Sequence, residues 1–159
     1  MKPLVLALAT LVVAAPAVVS TQRTPVSAAR PAFIVVVNPV NPTDSLTLAE
    51  LRRIFMKQQR LWPHGDTIVP VDWDSASELR QTFSQMVLGR SIREMAEYWV
   101  QQSVTQGLAP PSSLRSGLAV VRFVATVNGA IGYLPPEAVD RSVKRVRIDG
   151  LTVNPGRNR

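Results

Sequence analysis

The sequence contains no cysteine and a single histidine, His64, among its 159 residues. The first absence excludes disulfide staples, thiol nucleophiles and thiolate metal ligands, and the second leaves no set of imidazoles to hold a transition metal. Charge is sparse too, at 18% of residues, while the hydrophobic share of 46% is too high for an intrinsically disordered chain. After the first twenty residues no apolar run approaches the ~18 residues that a membrane-spanning helix requires.

What is present begins with a short basic start, Met1-Lys2-Pro3, followed by an uncharged stretch from Leu4 to Val19. This is the pattern of a secretory signal peptide, with small-x-small cleavage options at Ala15-Pro16-Ala17 and at Ser27-Ala28-Ala29. Residues 1–29 are read as the signal, 30–150 as one domain and 151–159 as a flexible tail. The protein is expected to be exported, and not to be an integral membrane protein once the signal is removed. The remaining 130 or so residues are enough for one hydrophobic core that needs no cross-links.

Within the domain, Phe33–Val37 is a β-branched run with the pattern of a strand buried on both faces. Three capping boxes follow: Thr47-x-x-Glu50, Ser75-x-x-Glu78 and Ser91-x-x-Glu94, each placing a hydroxyl at a helix N-cap and a carboxylate at N3. Behind them run the apolar faces Leu48/Leu51/Ile54/Phe55, Leu79/Phe83/Met86/Val87 and Ile92/Met95/Ala96/Trp99/Val100. A second strand is expected at Ile68–Val71, with Pro70 marking an edge or irregular end. A fourth helix is read from Leu114, Leu118, Val121 and Val124–Ala125, closed by Asn128-Gly129. Strands at Ala130–Leu134 and Val143–Asp149 complete the domain. Strands separated by helices make this an α/β fold with a partly parallel sheet.

Three constellations bear on chemistry. Asp72-Trp73-Asp74 sets two carboxylates around an aromatic residue at a strand-to-helix junction, where they could bind a cation or act as acid and base, or simply be solvated and helix-capping. His64 lies in a Trp62–Asp66 turn, and Glu94 and Glu97 have helical partners in Arg90 and Arg93, so no enzyme is expected and no cofactor. Arg141, Lys144, Arg145, Arg147, Arg157 and Arg159 concentrate positive charge near the C-terminus. Without interleaved aromatics or a reading motif this does not indicate nucleic acid, and an anionic envelope surface suits it better. The helix start at Ser75–Arg80 offers hydroxyls and an arginine to an oxyanion, against the carboxylate of Glu78.

The order and spacing of Ser45-Leu46-Thr47…Glu50-Leu51…Ile54-Phe55, Trp62-Pro63…Gly65, Ser77-x-x-Arg80-x-x-Phe83, Pro110-Pro111 and Gly129-Ala130-Ile131-Gly132-Tyr133 resemble a known family over about residues 34–148. It is similar to the single-domain relatives of phosphate ABC transporter substrate-binding proteins, a periplasmic-binding-protein-like domain. The resemblance implies a single lobe of a type 2 periplasmic-binding-protein fold, with a mixed sheet flanked by helices, and a periplasmic location. It implies phosphate or another oxyanion as ligand, held by Ser75, Ser77 and Arg80 near Asn41 and Gly129, and an ABC transporter or envelope protein as partner. Complete binders close two lobes over phosphate; one lobe leaves a wall to be supplied by a second copy or another protein. The binding loop departs from the family pattern, which carries arginine, aspartate and Ser-Gly-Thr: Trp73, Glu78 and Leu79 stand at the arginine, glycine and threonine positions, and only Ser77 matches. Weak rather than tight oxyanion binding is therefore expected, with a protein-interaction module of the envelope as the alternative.

Overall fold

The computed structural model describes residues 32–151. The expected signal peptide and residues 152–159 of the tail lie outside the described residues. Six strands, β1 (Ile34–Val37), β2 (Ser45–Thr47), β3 (Val69–Trp73), β4 (Ser112–Leu114), β5 (Ala130–Leu134) and β6 (Lys144–Asp149), form one sheet in the order β2-β6-β1-β5-β3-β4. β1 is antiparallel to both neighbours, and every other pair is parallel. The five strands other than β1 therefore share a direction, and their C-terminal ends line one edge of the sheet.

Parallel neighbours require crossovers, and helices supply most of them: α1 (Leu48–Phe55), α2 (Glu78–Phe83), α3 (Ile92–Gln106) and α4 (Gly117–Thr126). The central strands β1 and β5 are apolar on both faces because each face carries a core. On one side Val35, Val37, Ile131, Tyr133 and Val146 meet Leu51, Ile54 and Phe55 of α1, Phe83 of α2, and Met95 and Trp99 of α3. On the other, Val36, Val71, Ala130 and Leu134 meet Val120, Val121 and Val124 of α4. Leu151, assigned from sequence to the start of the tail, packs against the first core.

Two of the three capping boxes form as expected. Thr47 accepts from the Glu50 N–H while Glu50 accepts from the Thr47 N–H, and Ser91 and Glu94 repeat the arrangement. These donors favour ionised carboxylates and hold both Glu50 and Glu94 below the usual value of 4.5. A group depressed in the folded state contributes stability that is present above its unfolded pKa and lost as pH falls through the folded one. Acidification below 4.5 should therefore loosen the first turns of α1 and α3. Hydrogen-exchange protection of the Glu50 and Glu94 amides, followed from about pH 6 to about pH 3, checks this. The Ala119 amide of α4, capped by the Ser116 hydroxyl with no carboxylate, is the internal control. Protection that falls equally at all three sites would overturn the expectation.

Several sequence expectations are corrected. Leu114 belongs to β4, not to α4, and Leu118 and Val100 are mainly exposed, at 58% and 67%. Pro70 is not on an edge strand, since β3 lies between β5 and β4. The Val69 N–H donates toward β5, so the alternate position at Pro70 faces the β4 side, where pairing begins only at Val71. A missing donor is thus harmless at that position.

Candidate functional site

β3 ends in Asp72-Trp73-Asp74, and the period-2 alternation of the strand decides what these residues do. Val71 packs into the core under α4, so Asp72 points to the opposite side, beneath α2 and α3. There it is 5% exposed and accepts three hydrogen bonds: from the Tyr133 hydroxyl at 2.5 Å, the Trp73 N–H at 2.9 Å and Nε of Arg80 at 2.9 Å. The sequence expectation of a solvated Asp72 is wrong; it is the buried counter-ion of Arg80, which is itself 7% exposed. Burial pushes the Asp72 carboxyl up, opposed by Arg80, Tyr133 and the Trp73 N–H, and burial beside Asp72 pushes the Tyr133 hydroxyl up strongly. Tyr133 is fixed in turn: its ring stacks on Phe83 at 3.8 Å, and its carbonyl accepts from the Trp73 indole at 2.8 Å.

The loop after β3 explains why the Ser75 capping box does not form. Oδ1 of Asp74 takes the Ala76 N–H at 3.0 Å and its carbonyl takes the Ser77 N–H at 2.9 Å. This local turn, of the kind Asp favours, delays the helix, and the N-cap moves to Ser77, whose hydroxyl makes no capping bond. Ser75 is left exposed on the rim. Two sequence-nominated carboxylates thus have separate duties, Asp72 in the interior and Asp74 in the turn with Arg115 at 3.4 Å, and do not form an acid–base pair.

Beside this loop lies a cavity of ≈240 Å³. Its floor and one wall come from Asp72, Trp73, Asp74, Ser75 and Arg80; α3 contributes Ile92, Met95, Ala96 and Trp99, and the segment entering β4 contributes Pro110, Pro111 and Ser113. Nη1 of Arg80 is enclosed and has no hydrogen-bond partner among the described residues. A buried charged donor without an acceptor costs more than the roughly 1–3 kcal/mol of a neutral one. The cavity lies at the C-terminal end of β3, beside the segment that enters β4, and C-terminal strand ends are where open α/β sheets receive ligands. Trp99, Met95 and the two prolines were not nominated from sequence as site residues; their spacing read only as core and as a helix break.

The remaining nominated residues are elsewhere. Asn41 follows β1 and Gly129 precedes β5, and Val37 pairs with Ile131 and Lys144, which places both at the opposite edge of the sheet from Ser75, Ser77 and Arg80. Asn41 is buried, its Oδ1 taking the Thr43 N–H and its carbonyl taking Nζ of Lys144. The Gly129 carbonyl accepts from Val69 N–H and from the Trp62 indole, both at 3.0 Å. The basic C-terminal strand is partly neutralised within the molecule, Lys144 by Asp44 at 2.7 Å and Arg147 by Asp149 at 3.0 Å. His64 is exposed in its turn, 3.5 Å from Asp66. Among the described residues no three His, Asp or Glu side chains group as metal ligands, and no helix is long and apolar enough to cross a membrane.

No protein-family model matches the sequence, and no curated protein matches it. Solved structures do. An ABC-type phosphate transport receptor from Vibrio cholerae is similar at 22% identity and a TM-score of 0.61, over 75% of this chain and 46% of that one. A substrate-binding protein assigned to phosphate ABC transport, from Clostridium perfringens with phosphate bound, is similar at 25% identity and a TM-score of 0.59, over 78% and 47%. PstS from Borrelia burgdorferi is similar at 12% identity and a TM-score of 0.58, over 77% and 49%. The resemblance drawn from the sequence motifs is thus borne out at the level of the fold: the described residues form an α/β lobe of the periplasmic-binding-protein kind. The chain spans about half the length of the structures it matches.

Proposed function

We propose that this chain is an exported, non-enzymatic solute-binding-like domain that takes an oxyanion weakly in the cavity at the end of β3. The observation that carries the reading is Arg80, which lines that cavity with Nη1 enclosed and without an acceptor. Ser75 at the rim supplies a hydroxyl, whereas Ser77, the N-cap of α2, does not line the cavity. Two features keep binding weak. Asp72 already neutralises Arg80, and Asp74 adds a second carboxylate to the lining. Titration calorimetry at low salt with phosphate and with sulfate is expected to give weak heats. A hydrogen bond from a charged group is worth about 1.5–3 kcal/mol, so Arg80→Ala should weaken binding roughly 10–100-fold, with folding of the variant checked by near-ultraviolet circular dichroism. Absence of heat, or heat indifferent to Arg80→Ala in a folded variant, overturns the reading.

A second reading, an interaction module of the envelope or of a transporter, is favoured by one feature. Val100 and Val104 stand 67% and 82% exposed, one turn apart on α3. Capture from envelope extracts should then fall with Val100→Glu and Val104→Glu combined; capture unchanged by that pair counts against it.

A further inference from the structure

We infer that the ligand class suited to this cavity is a small organic carboxylate with an aromatic or branched apolar body, rather than a bare inorganic oxyanion. The inference rests on the reading that the cavity at the end of β3 is the ligand position. Three properties of the cavity point to it. First, its walls are mainly hydrocarbon: Trp99 with Met95, Ile92, Ala96 and the Pro110–Pro111 pair. A fully hydrated inorganic ion gains nothing from such walls, whereas an apolar body gains in proportion to the area it covers, and an aromatic ring gains further from the Trp99 indole. Second, the polar end is almost balanced before any ligand arrives. Arg80 faces Asp72 at 2.9 Å, and Asp74 faces Arg115 at 3.4 Å. With each carboxylate matched by an arginine, the lining has no excess positive charge to offset the desolvation of a second negative charge on the ligand, so a monoanion suits it better than a dianion. Third, Arg80 spends Nε on Asp72 and leaves Nη1 without a partner, which asks for one acceptor group rather than a tetrahedral set. A carboxylate supplies that acceptor at the lowest charge.

The size agrees: ≈240 Å³ is below the range of about 300–1,000 Å³ for drug-sized ligands and suits a molecule of single-ring dimensions. The test compares four probes by titration calorimetry and saturation-transfer NMR on the purified chain: phenylacetate, acetate, inorganic phosphate and benzyl alcohol. Phenylacetate should bind at least roughly tenfold more tightly than each of the other three. Because Arg80 variants disturb a buried pair, the site is blocked from its exposed wall instead. Ala96→Trp on α3 fills the cavity from a solvent-facing position, and should weaken phenylacetate roughly tenfold or more while leaving the thermal unfolding midpoint unchanged. Phosphate binding equal to or tighter than phenylacetate, and sensitive to Ala96→Trp, overturns this inference and leaves the oxyanion reading standing. Benzyl alcohol binding as tightly as phenylacetate, or phenylacetate indifferent to Ala96→Trp, overturns the inference as well. No binding of any anion overturns both.

Discussion

Gly129→Ala should lose about 3–5 kcal/mol of stability, a large part of the roughly 5–15 kcal/mol that holds a domain of this size. Two effects add. Gly129 has φ +76, a left-handed conformation that costs an L-residue about 1–2 kcal/mol. A Cβ built there would sit 2.0 Å from the backbone carbonyl oxygen of Thr67, which cannot swing aside as a side chain would. The backbone must shift, and overpacking of that kind costs about 1–3 kcal/mol or more. The shift would also strain two bonds that anchor this corner, from Val69 N–H and the Trp62 indole to the Gly129 carbonyl. Gly65→Ala separates the two effects: Gly65 has φ +97 and nothing within 4 Å of its Cβ position, so only the conformational cost of about 1 kcal/mol remains. Urea unfolding of both variants measures the difference. Equal losses would show that the Thr67 contact relaxes freely, and that the architectural account of Gly129 is wrong.

That account also bears on why Gly129 reads as a binding residue in the sequence. The motif Gly129-Ala130-Ile131-Gly132-Tyr133 is demanding in every position, and demand alone does not distinguish a ligand contact from a packing constraint. At Gly132 a Cβ would meet Val71 and Val120 side chains at 3.0 and 3.1 Å, and at Tyr133 the hydroxyl is committed to Asp72. Local signals were legible where the physics is local: the β-branched run at Phe33–Val37 became β1, the short strand expected at Ala130–Leu134 became β5, and two Ser/Thr-x-x-Glu boxes became helix starts at the residues expected. The signals failed where a competitor acted from outside the window. Asp74 intercepted the third box through its own turn, and β4 drew Leu114 out of a helical pattern because β3 offers it an open ladder. The strand β2 was missed because it is three residues long and shares Thr47 with the N-cap of α1. The cavity was half legible. Arg80 and Ser75 were nominated from the loop, but the facing wall comes from α3 and the Pro110–Pro111 turn, whose placement depends on the crossover and not on any neighbouring motif.

The pair beneath that cavity carries the other large expected effect. Asp72→Ala should cost about 3–5 kcal/mol, because it leaves a buried guanidinium without its counter-ion and strips the Tyr133 hydroxyl of its acceptor. The loss is not a measure of what the pair contributes. Desolvating two charges offsets most of their attraction, so removing both should cost far less than removing one. Asp72→Leu combined with Arg80→Met is therefore expected to recover most of the stability lost in Asp72→Ala. Tyr133→Phe should cost only about 1 kcal/mol, since the ring still stacks on Phe83 and one neutral donor is lost. Chemical denaturation of the four chains closes the comparison. If the double variant is no more stable than Asp72→Ala, the pair is a net stabiliser of the fold. Its position under the cavity is then sufficiently explained by packing. If the double variant recovers, the fold does not need these charges, and desolvation of the pair offsets their attraction.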